Sequence, residues 1–220
     1  MIREFLNFSA YSMHEALVAP ARDKAQLWRL GMGVILIAGV LLLIGQTVNQ
    51  TLATILGPSG YSALIGSDGS GSQLSVLYLL FTFSFLTIGV IIALKVAHHR
   101  GFATLLGEWP VFWRQFFSVF IVLLLINVAI AVLPPWDLGL PLEPNVAFGA
   151  WLVVLPFAVV AVLIQVSAEE ILFRGYLQQQ LAARFKSPLI WLLVPSFFFG
   201  VGHYMPGIAG DNAVMLAVWA

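Results

Sequence analysis

The chain has 220 residues, of which 60% are apolar and 9% carry a formal charge, against roughly 25% charged residues in soluble domains. That composition excludes an ordinary soluble domain and places the chain among polytopic membrane proteins. Ten basic residues balance ten acidic ones, so nothing points to a nucleic-acid partner, and the lack of cysteine excludes disulfides and thiolate metal sites. Histidine and carboxylates are then the strong metal ligands that remain.

Residues 1–29 form an amphipathic segment of mixed charge without the basic start, short apolar core and small-residue cleavage site of a signal peptide. An interfacial helix is expected, with Phe5, Leu6, Phe8, Tyr11, Leu17 and Trp28 on its apolar side. About 20 apolar residues cross a hydrocarbon core of ~30 Å as a helix. Five stretches are read as spans: residues 30–48, 74–96, 116–133, 147–166 and 188–203, with a sixth beginning at Ala213 and running to Ala220. The connections carry turn residues: glycine and serine over 57–73, proline over 134–145, and Pro206, Gly207 and Gly210 over 205–212. The expected fold is therefore all-α, a polytopic integral membrane helical bundle of five complete spans plus the start of a sixth. Three N-terminal transmembrane helices (30–133) precede a C-terminal region, 146–220.

The basic residues set the expected orientation. Arg3, Arg22, Lys24 and Arg29 precede the first span; Lys95, Arg100 and Arg114 flank the second connection; Arg174, Arg184 and Lys186 flank the fourth. All ten fall on one side, which the positive-inside rule makes cytoplasmic together with the N-terminus. Gln46, Asn49, Gln50 and Asn127 are expected to bond between helices, and His98-His99-Arg100 to lie at the membrane interface.

Against this apolar background, Ser167-Ala-Glu-Glu-Ile-Leu-Phe-Arg174 places three charges within six positions. Ionisable groups inside a membrane are costly and are functional suspects by default. A second polar intrusion, Phe199-Gly-Val-Gly-His203, interrupts the next apolar run. Glu170 lies 16 residues before Lys186 and His203 lies 16 after Ser187. A hairpin turning at Lys186-Ser187-Pro188 therefore brings both to one level, about 24 Å from the turn. The hairpin alone allows a deep position, but residues 175–186 carry Gln178, Gln179, Gln180, Arg184 and Lys186 and are expected in the interface or cytosol, which sets that level just inside the cytoplasmic leaflet. Glu170 and Arg174, spaced i,i+4, can pair on one helix face. Glu169, about 100° around the helix, is left without a partner, which suits a general base. Phe199 and His203 share a face, and Gly200 and Gly202 are expected to let another backbone approach.

Glu169-Glu170-Ile-Leu-Phe-Arg174-Gly175 followed by Phe199-Gly-Val-Gly-His203 resembles the CAAX protease and bacteriocin-processing (CPBP, or Abi) family of intramembrane endopeptidases. Its EExxxR and FxxxH motifs both match in full, on consecutive helices, and the Phe-Arg-Gly flank is typical of bacterial members. The resemblance implies an endopeptidase of the bacterial inner membrane with its active site towards the cytoplasm. Glu169 would activate water, Glu170 would assist or be held by Arg174, and His203 would bind a metal ion or position the water and stabilise the oxyanion. It also implies a divalent metal such as zinc, held in part by Glu169 and His203, or a metal-free mechanism. Partners would be the lipid bilayer and a peptide or membrane-protein substrate, including bacteriocin-type peptides. The family's third motif, HxxxN or HxxxD, does not occur before Ala220. The chain is therefore expected to be C-terminally truncated, a partial catalytic core that is inactive as it stands. Two alternatives keep the same residues: a non-catalytic membrane immunity or binding protein of this fold, and a proton-coupled transporter. The transporter should show inverted repeats, and no internal repeat is visible.

Overall fold

The computed structural model describes residues 14–66, 72–134 and 146–220, and within these all regular structure is helical. The first 13 residues and the proline-rich connection over 135–145 lie outside the described residues. In chain order the elements are α1 (Glu15–Val18), a 3-10 turn (Ala19–Lys24), α2 (Leu27–Ile65), α3 (Gln73–Thr82) and α4 (Ser84–Ala93). A π turn (Leu94–His98), α5 (Ala103–Leu106), α6 (Trp109–Val132) and α7 (Phe148–Glu170) come next, then a second π turn (Ile171–Leu177) and α8 (Gln178–Arg184). The chain continues through α9 (Pro188–Gly202), α10 (Pro206–Ala209), a 3-10 turn (Gly210–Asn212) and α11 (Ala213–Trp219).

Among the described residues four helices are long and apolar enough to cross a membrane: Leu27–Ile65, Gln73–His98, Trp109–Val132 and Phe148–Arg184. The run expected as a fifth span is α9, whose 15 residues reach about 22 Å, short of a ~30 Å core. It starts where expected, with Ser187 at the N-cap and Pro188 in the first turn, and its helix closes at Gly202. The first span also differs from expectation. Its helix runs past residue 48 to Leu56, breaks at Gly57 (φ 71°, ψ 173°) and resumes at Pro58 as far as Ile65. Much of the expected glycine and serine loop is thus helical, because glycine takes the positive φ and proline restarts the helix at its first turn.

The core sits at the end of the bundle that carries the basic connections. Ile37 of α2, Leu86, Val90 and Ala93 of α4, Leu94, Leu105, Ala168 and Tyr176 form one buried cluster. In an apolar solvent such a cluster is held by close packing rather than by transfer from water. Residues 14–24 dock on it rather than lying free at an interface: Val18 and Ala21 are buried, and His14 stacks on Trp191 with ring centroids 5.2 Å apart. Arg22 donates two hydrogen bonds to the Glu15 carboxylate, at 2.8 and 2.6 Å. The N-terminal segment, the 94–106 connection and the 171–184 stretch therefore meet at one end. At the other end the Tyr78 hydroxyl donates to Asn49 Oδ1 at 2.5 Å, the interhelical bond expected of Asn49. Asn127 does not behave so: its amide donates to the Leu123 carbonyl of its own helix, at 2.9 Å.

Candidate functional site

Glu169 and Glu170 close α7, and the π turn after them carries Arg174. Single π turns inside α-helices are rare and concentrate at functional sites. Arg174 Nη1 stands 3.3 Å from Glu170 Oε1, the i,i+4 pair the spacing implies. Both side chains are about half exposed (42% and 52%), so by itself this pair contributes no more than about 1 kcal/mol.

The guanidinium also does something that a pattern within one helix does not specify. Arg174 Cζ lies 4.7 Å from the centroid of the Phe199 ring on α9, a cation–π contact between the two motif helices. Phe173 meets the same ring edge-on at 5.0 Å, and the imidazole of His203 lies 4.4 Å from it. Glu170, Arg174, Phe199 and His203 thus form one contiguous string across the hairpin. Glu169 is partly buried and makes no hydrogen bond or ion pair among the described residues.

His203 is oriented by its own helix. Nδ1 lies 2.9 Å from the Phe199 carbonyl, and a carbonyl only accepts, so Nδ1 carries the proton. In the neutral ring Nε2 then presents a lone pair, able to accept from water or to ligate a metal. Gly200 lets α11 approach as expected, since a Cβ there would lie 2.5 Å from the Ala217 carbonyl oxygen. Gly202 does not play that part: a Cβ there would meet nothing within 4 Å.

Catalytic zinc takes three protein ligands and leaves one position open. Among the described residues no group of three or more His, Asp or Glu side chains is gathered in that way. Glu169 and His203 supply two donors, so these residues do not by themselves fit a zinc site.

What the sequence reading missed lies just beyond the motif. His98 and Arg100, expected at the interface, are 1% and 7% exposed, and Gln179 and Gln180, expected in the interface or cytosol, are each 2% exposed. His98 Nδ1 lies 3.1 Å from the Lys24 carbonyl, and Nε2 lies 2.9 Å from the Tyr176 hydroxyl. With the proton fixed on Nδ1, the neutral ring accepts from Tyr176 at Nε2. A buried hydroxyl left without such a partner would cost about 1–3 kcal/mol. Arg100 Nη2 donates to Gln179 Oε1 at 3.1 Å, and Gln179 Nε2 donates to the Leu105 carbonyl at 3.0 Å. Burial lowers the proton affinity of Arg100, yet a guanidinium stays charged in proteins. The clue in the sequence was the scarcity of polar residues, which makes three consecutive glutamines and an arginine notable. Their partners, 74 to 79 positions away, left no local trace.

Residues 149–220 match the family of type II CAAX prenyl endopeptidases, Rce1-like, a segment that contains both motifs and is consistent with the CPBP resemblance. An uncharacterized protein of Bacillus subtilis (strain 168), YyaK, is 31% identical over 137 residues, which cover 60% of this chain and 44% of the relative. The chain thus spans less than half the length of that relative. No solved structure matches.

Proposed function

We propose that the Rce1-like segment of this membrane protein forms part of the active site of an intramembrane endopeptidase. Glu169 removes a proton from the attacking water, and His203 Nε2 holds that water in line with the carbonyl. The Glu170–Arg174 pair, braced on Phe199, keeps the two motif helices at the distance this needs. The observation that carries the reading is the Arg174–Phe199 contact, because it joins EExxxR to FxxxH. Water activation is assigned to the carboxylate; a divalent ion at Glu169 and His203 would polarise the same water and would need a third donor besides them. The family's name supports a prenylated or similarly lipid-anchored peptide as the substrate; the distribution of basic residues supports cleavage near the cytoplasmic membrane face, and the Phe-Arg-Gly flank a bacterial inner membrane.

The test is turnover of an internally quenched farnesylated peptide by the full-length protein in proteoliposomes. General-base removal costs typically 10²–10⁴-fold, so Glu169→Gln is expected to lower kcat by about that factor. Unchanged turnover in that variant would falsify the assignment.

A further inference from the structure

Tyr176 is 0% exposed, though it lies only two residues beyond the half-exposed Arg174. Its hydroxyl is held on one side by His98, whose ring is itself fixed by the Lys24 carbonyl and meets the phenol edge-on at 5.5 Å. On the other side is α2 at Gly33, where a Cβ would lie 1.8 Å from Tyr176 Oη and 3.0 Å from its Cζ. The phenol therefore occupies the space that any side chain at position 33 would take. One turn on, Gln179 is tied to Arg100 and to the Leu105 carbonyl. Four residues from two distant segments, Gly33 of α2 and His98, Arg100 and Leu105 of the 94–106 connection, thus grip the helix within two turns of its motif.

The π turn explains why that grip acts on the carboxylates. Seven residues of ideal α-helix turn through ~700°, which would set Tyr176 almost directly below Glu169 on one face. A π turn accommodates an extra residue and offsets the remainder of the helix by roughly 100°. Tyr176 then enters the α2–α4 core while the motif faces α9. A carboxylate stands about 5–6 Å from its helix axis, so a 10° rotation moves it by about 1 Å. A 1 Å misplacement can cost about 10²-fold in rate.

We propose that Tyr176, seated between His98 and the bare Cα of Gly33, is a positioning residue that fixes the rotation of the helix bearing Glu169 and Glu170. This rests on the endopeptidase reading for its consequence in turnover, but not for its geometry. The absence of cysteine allows both to be measured separately. Spin labels at Val166→Cys and Val201→Cys, both exposed, report the relation of α7 to α9 by pulsed dipolar spectroscopy. Gly33→Ala is expected to shift or broaden the label distance and to lower kcat on the farnesylated peptide about 100-fold, with KM within twofold. Tyr176→Phe, which keeps the ring and loses the hydroxyl, is expected to broaden the distance and lower kcat about tenfold. Adding Tyr176→Phe to Gly33→Ala relieves the closest clash and is expected to restore part of both readouts.

The proposal is overturned if Gly33→Ala and Tyr176→Phe each leave the label distance unchanged. It is equally overturned if the double variant is no better than Gly33→Ala, or if the loss falls on KM or thermal stability with kcat intact. Should Glu169→Gln cleave like the parent, the endopeptidase reading fails while the label distances still decide the role of Tyr176.

Discussion

The Phe199 ring is the residue on which both motifs converge, with Arg174 on it at 4.7 Å and His203 at 4.4 Å. Cation–π contacts contribute about 0.5–2 kcal/mol depending on desolvation. A double-mutant cycle of Arg174→Met and Phe199→Leu on kcat/KM is therefore expected to give a coupling near 1 kcal/mol. Additive single losses would mean that the contact joins nothing. At this scale the motif residues were legible in the sequence, because charge in an apolar chain is conspicuous and i,i+4 spacing defines a shared face. His98, Arg100 and Gln179 were misread for the same reason in reverse. Near a run of basic residues a polar side chain looks solvated, and its burial depends on Tyr176 and Leu105, far away in sequence.

Two π turns meet at the His98–Tyr176 bond, one ending the Gln73–His98 span and one interrupting Phe148–Arg184. Hydrophobic periodicity reveals helices but not one surplus residue within a turn, so neither feature was foreseen. Deleting Leu172 would let the second π turn relax to α-helix and rotate α8 by roughly 100° relative to Glu169. Gln179 and Gln180 would leave their buried sites. The variant is expected to be recovered folded at less than a tenth of the parental yield by fluorescence size-exclusion chromatography. Parental yield and turnover would show that the offset carries no weight. The break at Gly57 was likewise hidden, since Gly-Pro reads as a loop whether or not a helix resumes after it.

Across the molecule, the ends of the sequence-distant basic connections gather where residues 14–24 dock, and His14 gives that docking a pH dependence. Burial against Trp191 lowers its pKa from the ordinary 6.5. The undocked segment therefore binds more protons than the docked one in the window below 6.5. Docking is at full strength above that value and weakens as the pH falls through the window. A spin label at Asp23→Cys should become more mobile between pH 7.5 and 5.5, and His14→Phe should abolish the change. Equal mobility at both values in the parent would refute it.

Helix α6, Trp109–Val132, has no buried residue at all. Its 24 residues extend about 36 Å, enough to cross the ~30 Å hydrocarbon core and carry Arg114 to the interface. With no side chain of it buried among the described residues, its inclination is left to the lipid. Bilayer thickness therefore becomes a variable for this helix, which leans further as the lipid thins. The clamped end around Tyr176, held by hydrogen bonds and close packing, keeps its geometry as the lipid changes.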